Sequence, residues 1–221
     1  MQHIIVDLEF APVTDKAIRE HLKNEVIEIG AVRLDDNFEY VDSFDIFVKP
    51  EHASFSKDLF KLTSISKTET NESPGFDEAV ESFVNWIGPE KFRIYQWSEN
   101  DKKQIVEECN YKSLTGKYQM LCGKHWRDIQ RLYIRVFHKD RRQSLESSLT
   151  ELVVDFDGKM HRACDDAKNT AKLLQIMAVK EKYDEVMKPI KDVLNAPKKG
   201  STLGDLLGGI DLSELYAACG A

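Results

Sequence analysis

No stretch of this sequence stays apolar for long. The ~20 consecutive apolar residues of a membrane helix are nowhere present, and no basic-then-apolar leader precedes the first strand pattern. The expectation is a chain that neither enters a membrane nor is exported. Cysteine is scarce and scattered: Cys109, Cys122, Cys164 and Cys219 form no CxxC pair, so neither a structural zinc site nor a disulfide framework is indicated. Reduced thiols in a cytoplasmic protein follow as the expectation. Positive charge is short overall, since a formal net charge of −7 argues against coating nucleic acid non-specifically, which needs clustered Lys and Arg. How charge is distributed then matters more than its total. No internal repeat is visible, and 221 residues at 42% hydrophobic suffice for one well-buried domain with an appendage.

What is present starts with an apolar run, residues 3–10, that two carboxylates interrupt. On a strand Asp7 and Glu9 point one way while Ile4, Val6, Leu8 and Phe10 point the other. Two like charges side by side call for a cation, and hard carboxylate oxygens suit Mg²⁺ or Mn²⁺ better than zinc. Residues 11–25 are polar and fit either a helical turn or a loop. Residues 26–34 and 38–48 read as strands joined by turn chemistry at Asp35-Asp36-Asn37, so the first three strands form a meander that Lys49-Pro50 ends. Residues 51–75 are polar and rich in Ser and Thr. Phe76, Val80, Phe83 and Ile87 share a helical face, and Gly88-Pro89 stops that helix.

Residues 92–97 read as a fourth strand with Asp101 just beyond it, and residues 102–110 as a helix. A fifth strand is expected near residues 125–129. It leads into an amphipathic helix through Phe137 with Ile129, Leu132, Val136 and Phe137 on one face. A short helix over residues 144–153 and the turn Asp155-Phe156-Asp157-Gly158 precede His161. A long helical pattern then begins at residues 162–163 and reaches Tyr183 or beyond; Pro189 and Pro197 argue against an unbroken continuation. Strands first, then alternating helices and strands, indicate a mixed α/β layer protein whose site gathers where strand ends meet helices.

Asp7, Glu9, Asp101 and the pair Asp165-Asp166 can converge there. Four carboxylates without a thiolate describe a site for two hard cations, which clamp the attacking and leaving oxygens of a phosphoryl displacement. Asp165 is read as favourable charge in a helix's first turn, and Asn169 either orients Asp166 or is an exposed helix position. His161 is the candidate general base, because an unperturbed imidazole titrates near neutral pH. Five residues of helix turn through about 500°, which leaves His161 and Asp166 about 140° apart, so His161 belongs in the loop before the helix.

The segments Val6-Asp7-Leu8-Glu9-Phe10, Trp97-Ser98-Glu99-Asn100-Asp101 and His161-Arg162-Ala163-Cys164-Asp165-Asp166-Ala167-Lys168-Asn169 resemble the three exonuclease motifs of the DnaQ-like superfamily, DEDDh branch, and in particular its small Eri-1-like RNA-trimming members. The resemblance covers roughly residues 1–180. It implies a ribonuclease H-like fold with a five-stranded mixed sheet flanked by helices and two Mg²⁺ ions, for which Mn²⁺ can substitute. The implied activity is 3′-to-5′ removal of nucleoside 5′-monophosphates from single-stranded RNA or DNA 3′ ends, RNA favoured. By position, Asp7, Glu9, Asp101 and Asp166 become metal ligands and His161 the base. Two departures stand out. Phe10-Ala11-Pro12 replaces the usual residue-then-Thr after the first Glu, and Trp97 stands where Asn is common. Phe10, Ala11 and Trp97 are therefore expected at the terminal nucleotide. The alternatives are a weakly active RNA-binding or regulatory protein on the same fold and a phosphodiesterase for nucleotides rather than polymers.

Residues 112–142 hold nine Lys or Arg against only Asp128 and Asp140. Arg127, Arg131 and Arg135 recur every four residues and would form one helical stripe, either a solvated charged face or a track on which Arg131 and Arg135 hold the phosphate backbone upstream of the cut. The domain expectation is an exonuclease domain over residues 1–183, followed at 184–221 by a helical extension, a linker and a small apolar tail that docks on the domain, a second copy or a partner chain.

Overall fold

The structure is a computed structural model, and it describes residues 1–195. β1 (Gln2–Pro12), β2 (Asn24–Leu34) and β3 (Tyr40–Phe47) form the expected antiparallel meander. β4 (Phe92–Gln96) pairs parallel with β1, and β5 (Trp126–Asp128) parallel with β4, giving the order β3-β2-β1-β4-β5. Parallel neighbours require crossovers, and helices supply them. In chain order these and the remaining helices are α1 (Lys16–Arg19), α2 (Lys57–Thr63), α3 (Lys67–Asn71), α4 (Phe76–Ile87), α5 (Asn100–Tyr111), α6 (Gln119–Cys122), α7 (Ile129–Val136), α8 (Leu145–Glu151), α9 (Ala163–Ala178) and α10 (Lys180–Asn195).

Ile4, Val6 and Leu8 of β1 join Phe76, Val80, Phe83 and Ile87 of α4 in the main core. Each of those α4 side chains contributes roughly 1.5–3 kcal/mol on burial. α9 lies against β1 and β2. The five-stranded mixed sheet flanked by helices is therefore the architecture, with β1 at its centre.

Several local expectations need correction. The Ser- and Thr-rich stretch of residues 51–75, to which the sequence pattern assigned no element, holds two helices, because its serines cap them: Ser56 accepts the Leu59 N–H, and Ser66 with Glu69 forms a capping box. On α7, Leu132 is 38% exposed, and the inward face is Ile129, Gln130 and Tyr133. The large aromatic decides that rotation: Tyr133 packs edge-on against Trp97, and its hydroxyl donates to Glu151 at 3.0 Å. The last long pattern is two helices, broken at Val179, whose backbone is extended. Pro189 does not stop α10, which runs through it at the loss of one hydrogen bond.

The chain divides into a compact unit, Met1–Val186, and a second, Met187–Ala221, of which only the end of α10 is described. The expected linker and docking tail lie outside the described residues. Among the described residues no helix is long and apolar enough to cross a membrane, and Cys109, Cys122 and Cys164 are free thiols.

Candidate active site

Pairing of β1 with β2 sets the geometry. Asp7 lies opposite Gly30 and Glu9 opposite Glu28, and the register then shifts so that Phe10 meets Val26. Carboxylates directly across a strand pair repel. Here Arg162 relieves the repulsion, its Nε and NH2 donating to one oxygen of buried Glu28 at 3.0 and 2.8 Å while the Ala163 N–H donates to the other at 3.0 Å. A side chain at Gly30 would meet the Cys164 nitrogen at 2.0 Å and the Ala163 carbonyl carbon at 2.1 Å. The start of α9 thus rests directly on the β2 backbone. That contact puts Asp166 and the residues before α9 over the face that carries Asp7 and Glu9.

The loop before α9 is held as tightly as the helix. Gly158 has φ +86°, and its α-carbon sits so close to Asp165 that a Cβ would lie 2.4 Å from the carboxyl carbon. Asp165 accepts the Lys159 N–H at 3.0 Å and pairs with Lys168 at 3.1 Å, so it fastens the loop. Asn169, far from being exposed, is buried: its amide donates to the Asp157 and Asp165 carbonyls and accepts the Asp157 N–H. His161 lies in this loop at φ +60°, with its N–H donating to Asp166 at 2.9 Å. Asp101 arrives in the first turn of α5, where it accepts the Leu8 N–H at 3.1 Å and so ties α5 to β1.

Asp7, Glu9, Asp101, His161 and Asp166 all line one cavity of about 400 Å³, a size suited to a nucleotide-scale ligand. Polar side-chain atoms of Glu9, His161 and Asp166 lie within 4.8 Å of one another. The carboxylates pay for this company in proton affinity. Burial, and then Asp101, Asp166 and Glu9, push Asp7 well above the usual carboxylate range. Burial and then Asp166 and Glu28 push Glu9 up to about 8. Burial raises Asp101 to about 7 against the Leu8 N–H, and Asp166 to about 6 against the His161 N–H. Such a cluster holds protons where it lacks another cation, and its hard oxygen donors fit Mg²⁺ or Mn²⁺. The residues present therefore fit the metal that the chemistry calls for.

The expected nucleotide-contact residues separate. Phe10 is half-buried and lines the cavity. Trp97 also lines it, but at 9% exposure its ring is committed to Tyr133 and offers little face for stacking. Ala11 is fully buried beside Ile27 and Ile65 and is not among the lining residues; the shifted register carries it into that small cluster. Arg131 and Arg135 lie outside this cavity, along a separate groove. Glu28, Gly30 and Met160 were not singled out by sequence reasoning. A lone glutamate inside the apolar run of residues 26–34 was the available signal for the first, and position just before His161 for Met160, which is 40% exposed in the cavity wall.

A mixed sheet in this order, with acidic residues on its central strand, on the following crossover helix and on the last helix against it, defines an RNase H-like exonuclease fold. The chain belongs to the RNase_T exonuclease family, whose sequence pattern matches residues 4–174, and it resembles the DEDDh, Eri-1-like members of it. It is 27% identical to ERI1 exoribonuclease 2 of Homo sapiens over 240 aligned residues, covering 97% of this chain and 33% of that protein. It is 24% identical to 3′-5′ exoribonuclease 1 of Rattus norvegicus, covering 75% of this chain and 50% of that protein. The chain thus spans about a third to a half of the length of these relatives. The solved nuclease domain of 3′hExo, a DEDDh family member bound to rAMP, superposes with a TM-score of 0.69 at 23% identity, covering 80% of this chain and 90% of that one. Members of the family are metal-dependent exonucleases.

Proposed function

We propose that this chain is a 3′-5′ exonuclease that hydrolyses phosphodiester bonds at the 3′ ends of single-stranded nucleic acid, RNA in preference to DNA, and releases nucleoside 5′-monophosphates. The observation that carries the reading is the meeting of Asp7, Glu9, Asp101 and Asp166, from three distant segments, with His161 in one nucleotide-sized cavity. The same reading takes residues 1–183 as the catalytic domain and the cytoplasm as its place.

Asp7, Glu9, Asp101 and Asp166 would hold two Mg²⁺ ions, with Mn²⁺ a substitute. When bound, such ions supply an activated water and charge stabilisation for the departing 3′ oxygen. His161 is exposed at the cavity with its backbone N–H tied to Asp166, which supports the reading of its imidazole as the base that would take the proton from the attacking water. Glu28 and Arg162 are positioning residues: they fix the start of α9 and through it Asp166. Phe10 and Met160, in the cavity wall, would offer apolar surface to the terminal base, and Arg131 and Arg135, in the separate groove, would meet the backbone further back.

The test is a time course on matched 5′-labelled RNA and DNA strands with Mg²⁺, Mn²⁺ or EDTA, with products identified by mass. Stepwise shortening from the 3′ end with release of 5′-monophosphates, abolished by EDTA, is expected. Full activity in EDTA would sink the metal reading, and tight RNA binding without turnover would select the weakly active binding protein instead.

A further inference from the structure

A groove of about 870 Å³ lies beside the catalytic cavity without sharing a lining residue with it. One segment walls both. Trp97, Ser98, Asn100 and Asp101 line the cavity, and Gln96, Glu99, Lys102 and Lys103 line the groove. Four elements bring cations to the groove: Arg93 from β4, Lys102 and Lys103 from α5, Arg127 from β5, and Arg131 and Arg135 from α7. Against these six stand two carboxylates, Glu99 and Asp128.

Both carboxylates are already engaged. Arg131 pairs with Glu99 and, at 3.3 Å, with Asp128, while Lys103 reaches Glu99 at 3.5 Å. Among the described residues, Arg93, Lys102, Arg127 and Arg135 have no ion-pair partner. Arg127 instead donates to the Lys124 and Trp126 carbonyls at 3.2 and 3.0 Å, which holds its guanidinium in place. Other partly buried cations of this acidic chain meet carboxylates: Lys112 has Glu51 and Glu25, and Arg162 has Glu28. A chain with a net charge of −7 that leaves four cations unpaired in one concave surface has that surface matched to an outside polyanion. Exposed Leu132 and half-buried Val106 and Phe38 also line the groove and suit sugar and base faces rather than a purely inorganic ion.

We propose that this groove is a second nucleic-acid site, which grips the phosphodiester backbone of a strand through Arg93, Lys102, Arg127 and Arg135 and is separate from the cavity that cuts it. The inference rests on the exonuclease reading for the identity of the anion and deepens it: the substrate is held at two places, the second blind to sequence. Arg127 stands on β5 rather than on one helical stripe with Arg131 and Arg135, and Arg131, tied to Glu99 and Asp128, contributes less than its four-residue spacing suggests.

The test measures binding of a fluorescent single-stranded RNA to the full chain in EDTA, by anisotropy, across a salt series, for the wild type and the Arg93→Gln/Lys102→Gln/Arg127→Gln variant. Each single-strand phosphate contact adds about 0.7 to the slope of log affinity against log salt, so the triple variant loses about 2 in slope. Its affinity falls on the order of 10²-fold at about 0.1 M salt, and the two proteins converge towards 1 M. Unchanged affinity and slope overturn the proposal. So does displacement of the RNA by poly-L-glutamate as readily as by unlabelled RNA, which reassigns the groove to an acidic protein, or equal binding of ATP, which reassigns it to a free nucleotide. Should the triple variant fail to fold, Lys102→Gln/Arg127→Gln, one helix and one exposed strand position, reads out the same slope with two contacts removed. Because binding in EDTA needs no turnover, a wild type that degrades no strand removes the exonuclease reading and leaves the groove's result intact.

Discussion

Neutralising Asp101 is expected to stabilise the metal-free protein while removing its turnover. The carboxyl is 6% exposed, and burial raises it from an ordinary 3.8 to about 7. In the unfolded chain it ionises above 3.8, whereas the folded site keeps the proton to about 7, so stability falls as pH rises through that window. At about 1.4 kcal/mol per tenfold change in proton affinity, the full interval corresponds to about 4 kcal/mol. One substitution leaves three other carboxylates in place, and relief of half that amount, about 2 kcal/mol, raises the melting temperature by roughly 4–8 °C for a domain of this size. Asp101→Asn suits the purpose because its amide oxygen can still accept the Leu8 N–H. Melting curves in EDTA at about pH 8 should show the variant above the wild type, with the gap narrowing as pH falls through about 7 towards 3.8 and closing only below it, where both unfolded and folded carboxyls are protonated. Millimolar Mg²⁺ should then stabilise the wild type more than the variant, since a ligand stabilises only the form that binds it. A variant that melts at or below the wild type in EDTA at the higher pH would refute the electrostatic account of the site.

His161→Ala should lower turnover by about 10² to 10⁴-fold while the Mg²⁺-induced rise in melting temperature is retained; loss of that rise would make His161 a ligand. Glu28→Ala leaves Arg162 unpaired and the Ala163 N–H without its acceptor, so urea denaturation should show a loss of about 2–4 kcal/mol, and a loss under about 1 kcal/mol would contradict the anchoring role. Asp166→Asn should nearly abolish turnover in the labelled-strand assay, whereas Asp165→Asn, which weakens only the ties to Lys159 and Lys168, should cost much less; the reverse order would exchange their roles.

The sequence by itself determined the meander, the α4 face and the three acidic segments, because each is a local pattern: period-two alternation, helical spacing, or charge set inside an apolar run. It also placed His161 before the last long helix rather than on it, from helix geometry alone. It assigned no element to residues 51–75 and misjudged the rotation of α7, where side chains act on helix ends or on distant partners instead of following apolar spacing. Only the tertiary structure decided that Gly30 must lack a side chain, that Asn169 fastens a loop, and that Glu28 and Arg162 anchor the start of α9. Arg162 lies 134 positions from the glutamate it meets, and Asp101 lies 93 from the Leu8 N–H it accepts. Contacts of that separation leave no periodic trace along the chain, because they arise only when strand register and helix docking are set together.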